Sequence, residues 1–129
     1  MRSSELKEIR LDINPLLLKQ LRSMTDNYTI VHCSYRNIFL LEEKIRIWPT
    51  TYLVQENAGR KKLLHAFNVP LYPDWEIIKS STYHFTLLFE GLDKDCLLFD
   101  LLEDIPEGGE FFVPGIKRNK TDVYNVEIQ

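Results

Sequence analysis

The stretch that decides the fold runs from residue 84 to residue 90 and reads His-Phe-Thr-Leu-Leu-Phe-Glu. In it, Phe85, Leu87 and Phe89 alternate with His84, Thr86 and Glu90. Neighbouring side chains of a strand point to opposite faces, so this period of two predicts a β-strand with one buried face.

The same period recurs on both sides of this stretch. Ile9, Leu11 and Ile13 alternate with charged residues near the start, and residues 124–128 alternate near the end. Leu63, His65, Phe67 and Val69 are predicted to share one face of a further strand, covering residues 63–69. The remaining predicted strands cover residues 28–35, 50–54, 97–102 and 110–113. Short turns separate these strands at the spacing typical of an all-β sandwich or barrel.

One segment departs from this pattern. Asn14 is a good helix cap and Pro15 suits the first helical position. Leu17, Leu21 and Met24 then recur at helical spacing. Residues 15–24 are therefore predicted to form a short amphipathic helix across an open end of the β structure.

These patterns predict one all-β domain over residues 1–129. Its favoured architecture is an immunoglobulin-like antiparallel β-sandwich of about eight strands with the helix at 15–24, and a small β-barrel is the alternative. A chain of 129 residues buries roughly two-thirds of its unfolded surface, which is enough for a single core.

Composition excludes several classes of function. The net charge is -3, whereas nucleic-acid binders usually carry a basic surface, so no nucleic-acid partner is expected. Apolar runs are far shorter than the ~20 residues that span a bilayer, so no membrane partner is expected. Residues 1–8 lack a secretory signal pattern, which predicts a cytoplasmic protein if Met1 is the natural start. Cys33 and Cys96 lie in apolar contexts and are predicted to be small core residues rather than a disulfide.

Candidates for catalysis are few. His32, His65 and His84 are the only histidines, and hydrolytic or metal chemistry would need them to converge with a nucleophile or carboxylate. We therefore predict no catalytic residue, no cofactor and no metal site, with a small histidine-dependent enzyme as the less favoured alternative.

Aromatic residues give the strongest signal for binding. Trp48 shares its parity with Arg46 and is followed by Pro49, and Trp75 ends the proline-rich stretch 69–75. Prolines suit an edge strand or a crossover, and exposed tryptophans are enriched at interface hot spots. Trp48, Arg46, Tyr52 and Trp75 are the candidate interaction residues, although plugging of the core by both tryptophans is the simpler alternative.

Five segments carry a resemblance to a known group. They are Ile45–Thr51 (IRIWPTT), Leu63–Ala66 (LLHA), Phe85–Leu92 (FTLLFEGL), Phe99–Glu103 (FDLLE) and Arg118–Tyr124 (RNKTDVY). Residues 45–128 thereby resemble small uncharacterised bacterial proteins with an immunoglobulin-like β-sandwich fold. The resemblance implies a β-sandwich with an accessory or interaction role, and it implies no activity.

The sequence therefore predicts a non-enzymatic interaction module that acts through a sheet edge. Its partner is another protein or a second copy of the chain, with a homodimer favoured. The main alternative is a small carrier of apolar ligands, which would need a hollow barrel.

Overall fold

The computed structural model describes residues 27–37, 42–106 and 108–128. Within these ranges the chain forms nine strands and no helix, so the all-β prediction is confirmed. The predicted helix at 15–24 and the predicted strand at 9–13 lie outside the described residues. No helix in the described ranges is long and apolar enough to cross a membrane.

Seven of the nine strands form one sheet. The strands are β1 (Tyr28–Arg36), β2 (Glu43–Ile45), β3 (Thr51–Gln55), β4 (Arg60–Phe67), β5 (Glu76–Ile78), β6 (Thr82–Glu90), β7 (Leu98–Glu103), β8 (Phe112–Lys117) and β9 (Val123–Ile128). The order in the large sheet is β9-β1-β6-β4-β3-β7-β8, and β2 pairs with β5 in a separate two-stranded ribbon.

The large sheet is mixed rather than purely antiparallel. β1 and β6 form its longest ladder, antiparallel from Tyr28 opposite Glu90 to Arg36 opposite Thr82. β9 lies on the other side of β1 and runs parallel to it, with Val123 opposite Ile30. The prediction of an antiparallel sheet is therefore wrong at this one pair.

A division into two facing sheets, as in an immunoglobulin-like sandwich, is not confirmed by the described strands. Hydrogen bonding is continuous from β9 to β8, since β3 pairs with both β4 and β7 in the middle of the sheet. The two edge strands, β8 and β9, approach each other, so the sheet curls until it is nearly closed. This arrangement is closer to the barrel alternative.

The core fills the inside of this curl. Phe85, Leu87 and Phe89 are each at most 1% exposed, as the alternation predicts. Thr86 and Leu88 are buried as well, so β6 is covered on both faces. A period of two does not predict that second covered face.

A bulge in β4 changes which residues face the core. Leu63 pairs with Phe89, but the next paired residue is His65, opposite Leu88. The extra residue inverts the alternation, so Leu63 and Ala66 pack on the core while His65 is exposed. The predicted common face for Leu63, His65 and Phe67 is therefore wrong.

Polar contacts fix the turn between β8 and β9. Arg118 makes two contacts with the carboxylate of Asp122, at 3.1 and 3.2 Å. The Tyr124 hydroxyl donates to the same carboxylate at 2.8 Å and accepts from the Asn119 N–H at 3.1 Å. Burial raises the pKa of Tyr124 to about 12. The phenol therefore stays protonated, and this end of the sheet is held by a charge-assisted network.

Candidate functional site

The site begins where the chain enters β3. Ile47 is 2% exposed, and its backbone N–H donates to the Pro70 carbonyl at 2.9 Å. Its own carbonyl accepts from the Tyr72 N–H at 2.8 Å. Because Ile47 points inward, its neighbours Arg46 and Trp48 share the opposite side. The two bonds hold the proline-rich segment 70–75 beside them.

Four side chains stack together at this point. The Arg46 guanidinium carbon lies 3.7 Å from the ring centroid of Trp75 and 4.6 Å from that of Tyr72. The Trp48 ring stacks on Tyr72 with 4.0 Å between centroids and an interplanar angle of 26°. We call Arg46, Trp48, Tyr72 and Trp75 the aromatic cluster. Contacts of a guanidinium with ring faces at these distances are attractive cation–π interactions.

The aromatic cluster is open to solvent. Trp75 is 50% exposed and Tyr72 is 43% exposed, while Trp48 is half-buried. Leu71, which precedes Tyr72, and Ile77, two residues after Trp75, are also exposed. Single exposed apolar residues are normal, but a group of large ones marks a candidate interaction surface.

A cavity of about 440 Å³ lies beside the aromatic cluster. Arg46, Trp48 and Trp75 contribute to its wall. Its apolar lining includes Ile45, Ile47, Phe85, Phe111 and Ile128. Its polar lining includes Tyr35, Lys44, Glu103 and Glu110.

Glu103 is the buried acid of this region, at 5% exposed. Its Oε2 accepts a hydrogen bond from the Trp48 backbone N–H at 3.1 Å. Burial raises the pKa of Glu103, and the hydrogen bonds from the backbone of Trp48 and Phe111 offset part of that rise. The Trp48 carbonyl accepts from the Thr51 hydroxyl at 2.7 Å, so the backbone under the tryptophan is fixed from both sides.

Three of the four predicted interaction residues come together, and one does not. Arg46, Trp48 and Trp75 all belong to the aromatic cluster. Tyr52 is on β3, and its ring instead faces the Arg60 guanidinium at 4.9 Å. Tyr72 was missed, although its position between Pro70 and Pro73 is a signal that could have identified it.

The segment 44–52 is only partly an edge. Lys44 and Ile45 are in β2, whose only strand partner among the described strands is β5. Thr51 and Tyr52 are in β3, which pairs on both sides. The edge on which the predicted contact depends therefore belongs to the ribbon β2–β5.

The three histidines lie on the outer face of the large sheet. His32 Nδ1 is 2.8 Å from the Thr86 hydroxyl, and the His65 ring lies 4.4 Å from Phe67. His84 is opposite Ser34 and exposed. In the described part of the chain, no three His, Cys, Asp or Glu side chains are grouped so that they could hold a metal ion.

Cys33 and Cys96 are free and buried, as predicted. Cys33 lies on the core side of β1 and Cys96 precedes β7, and both pack in the same core cluster. Burial raises the pKa of both thiols. They are therefore held in the protonated, unreactive form.

Similarity to other proteins assigns no role to this site. No protein-family model, no curated protein and no solved structure matches the chain.

Proposed function

We propose that this chain is a non-enzymatic binding module that associates with a protein partner through the aromatic cluster. The observation that supports this proposal is the stack of Trp75, Arg46 and Tyr72, in which both rings are nearly half exposed. Trp, Tyr and Arg are the residue types that dominate binding hot spots.

Contacts within the chain already fix the side chains of this stack in the absence of a partner. Arg46 lies against three rings, and its Nη1 donates to the Pro73 carbonyl at 3.2 Å. Long side chains lose rotamer freedom on binding, at a cost of about 0.5–1.5 kcal/mol each. A side chain that is already fixed avoids most of this cost, which favours association.

A second copy of the chain is the partner we favour. Symmetric homodimers are the commonest oligomers of soluble proteins. The ribbon supplies an edge for such a contact, since β5 pairs only with β2 among the described strands and carries the exposed Ile77. Strand addition at β5 would place the aromatic clusters of the two copies close to the shared edge.

Trp75→Ala tests this proposal. Removing a hot-spot tryptophan is expected to cost about 2 kcal/mol or more of association, which is about 30-fold in Kd. Sedimentation over a concentration series measures that loss. Phe112→Ala is the matched control because Phe112 is an aromatic residue of similar exposure, 53%, outside the cluster. Equal effects of both variants, or no association in the wild type, would contradict self-association.

Trp48→Ala distinguishes whether Trp48 contributes to an interface or packs in the core. If Trp48 contributes to the interface, this variant also weakens association by about 2 kcal/mol or more and leaves the fold intact. If Trp48 is a core plug, the same change costs about 3–5 kcal/mol of folding stability. Thermal unfolding and sedimentation of one preparation distinguish the two. A large fall in Tm with unchanged association would refute the interface.

The cavity supports a second candidate function, that of a carrier of small apolar ligands. Its volume of about 440 Å³ lies within the usual range of ligand sites. Ile47, Phe85 and Ile128 give it an apolar lining, and Lys44 and Arg46 could meet an anionic head group.

Ile45→Trp tests the carrier by filling the cavity. A wild-type carrier is expected to bind an environment-sensitive apolar dye saturably at one site, and a medium-chain fatty acid should displace the dye. Ile45→Trp should abolish the saturable signal, whereas Leu97→Ala, an exposed site outside the cavity lining, should not change it. A dye signal that is linear in the wild type would exclude this function.

The resemblance of residues 45–128 to bacterial immunoglobulin-like proteins stays a hypothesis, as does the sandwich classification. What supports both is the five segments of strand cores and turns described above. Neither adds an activity to the proposal.

A further inference from the structure

Three rings of the aromatic cluster face one positive charge. The Arg46 guanidinium carbon lies 3.7 Å from the ring centroid of Trp75 and 4.6 Å from that of Tyr72. It also lies 5.7 Å from the ring centroid of Trp48. All three distances are within the ~6 Å over which a cation is attracted to the face of an aromatic ring. The arrangement is therefore an aromatic cage, and Arg46 is the cation that occupies it.

Arg46 differs from the other arginines that the structure describes. Each of those forms an ion pair with a carboxylate, and they are Arg36, Arg60 and Arg118. No carboxylate of the described residues is paired with Arg46, whose Nη1 donates instead to the neutral Pro73 carbonyl at 3.2 Å. The guanidinium can therefore leave the cage without breaking an ion pair.

The neighbouring cavity offers Arg46 a second location. Arg46 lines this cavity together with two acids, Glu103 and Glu110. If the guanidinium turned from the rings into the cavity, it would exchange cation–π contacts for attraction to these carboxylates. The side chain therefore has two favourable environments, the cage and the cavity.

The rings of the cage can be reached from solvent by a ligand. Tyr72 is 43% exposed and Trp75 is 50% exposed. A trimethylammonium group has no N–H and donates no hydrogen bond, so it loses less by leaving water than a lysine ammonium, which is strongly hydrated. Quaternary ammonium groups are the ligands that proteins recognise with aromatic cages.

From these observations we propose that the aromatic cluster is a binding site for quaternary ammonium groups, and that Arg46 occupies the cage when no ligand is bound. The cation of the ligand takes the place of the guanidinium against Trp75 and Tyr72, and Arg46 turns towards the acids of the cavity. Arg46 thus acts as an internal competitor of the ligand. This inference goes beyond the proposed function, since it concerns the same residues but does not require a protein partner.

Titration of the wild-type chain with choline is the first test. Choline is compared with its neutral analogue, in which a tert-butyl group replaces the trimethylammonium group and keeps its shape. Both tryptophans of the chain, Trp48 and Trp75, belong to the aromatic cluster, so tryptophan emission reports on this site. We expect a saturable change with choline and none with the analogue. A wild type that does not prefer choline overturns the proposal, even if every variant fails to fold.

Arg46→Gln tests the internal competitor. If the guanidinium fills the cage about nine-tenths of the time or more, it lowers the apparent affinity for a ligand about tenfold or more. Arg46→Gln should remove this competition and tighten choline binding by that factor, as measured by NMR from the choline methyl resonance.

Lys44→Gln is the matched control for Arg46→Gln. It removes one positive charge from the wall of the same cavity and leaves Arg46 in the cage. Because Lys44 is exposed and its charge is screened by salt, the affinity for choline should change by less than about twofold. An unchanged or weaker affinity in a folded Arg46→Gln variant, or an equal gain in Lys44→Gln, overturns the proposal.

Trp75→Ala locates the bound cation. In the Arg46→Gln background it should abolish saturable choline binding, because Trp75 is the ring nearest the cation. Phe112→Ala in the same background should not, since Phe112 is exposed outside the cluster. Choline binding that survives Trp75→Ala overturns the cage as its site.

Sedimentation of the same proteins separates this proposal from the proposed function. Self-association of a wild type that does not bind choline contradicts only the cage. Choline binding by a wild type that stays monomeric supports the cage and contradicts only self-association.

Discussion

A single carboxylate, that of Glu103, links the aromatic cluster to the cavity. It accepts a 3.1 Å hydrogen bond from the Trp48 backbone N–H, and its side chain also lines the cavity. Burial disfavours its charged form, so its pKa lies above the ordinary value of 4.5. The stability of the protein should therefore depend on pH through this residue.

Glu103→Gln makes that dependence measurable. A raised pKa in the folded state means that folding favours the protonated acid. This contribution is fully present below pH 4.5 and is lost as the pH rises through the folded pKa. The free energy of unfolding of the wild type minus that of Glu103→Gln should thus fall from pH 4 to pH 8. Urea denaturation across that range measures the difference.

Glu42→Gln is the matched control for the loss of one charge, since Glu42 is an exposed acid outside the cavity lining. A difference between wild type and Glu103→Gln that stays constant with pH, or rises with it, would contradict the raised pKa.

At the scale of the element, β8 depends on one glycine. Gly115 has φ of +68°, and its N–H donates to the Asp100 carboxylate at 2.9 Å. The register with β7 shifts at this point, between Phe99 and Leu101. This is a bulge with glycine in the left-handed region, and it bends the strand β8.

Gly115→Ala is expected to cost about 1 kcal/mol of stability. Nothing lies within 4 Å of the added Cβ, so the cost comes from the backbone conformation and not from a clash. Gly115→Asn should cost less, because asparagine tolerates a positive φ better than alanine does. Chemical unfolding of the three proteins ranks them. An alanine variant at least as stable as the wild type would be inconsistent with this account.

The strands show what the alternation of apolar and polar residues can and cannot predict. The predicted strands at 84–90 and 124–128 correspond to β6 and β9, because their alternation reflects one inward face. The ribbon strands β2 and β5 have three residues each, too few for a period to be recognised. The bulge in β4 depends on its partner β6, so no pattern within β4 itself reveals it.

The candidate site was predictable only in part, because sequence spacing predicts some of its contacts and long-range pairing produces the others. Arg46 and Trp48 share a side because they are two residues apart, and the sequence alone predicts this. The approach of Trp75 depends on the Ile47–Pro70 hydrogen bond, which joins residues far apart in sequence. Tyr52 has the same parity as Trp48, but it continues into a paired strand and so leaves the cluster.

At the scale of the whole molecule, the class of the fold was predictable and its topology was not. Strand periodicity predicts the seven strands of the large sheet, which is enough to assign an all-β protein. Whether seven strands form two sheets or one curled sheet depends on which strands pair. That choice is made by contacts such as Leu53 with both Leu101 and Lys61, which no local pattern encodes.

The parallel pair β1–β9 has a consequence for biosynthesis. Ile30 is opposite Val123, 93 positions later in the chain, so β1 leaves the ribosome long before its neighbour is made. β1 can pair with β6 on one side during translation, but its other side must wait for residues 123–128. Contacts this distant in sequence form slowly, because a long loop must close before any pairing is gained. The edge of β1 that faces β9 is therefore expected to stay unpaired in the nascent chain until residues 123–128 have been made.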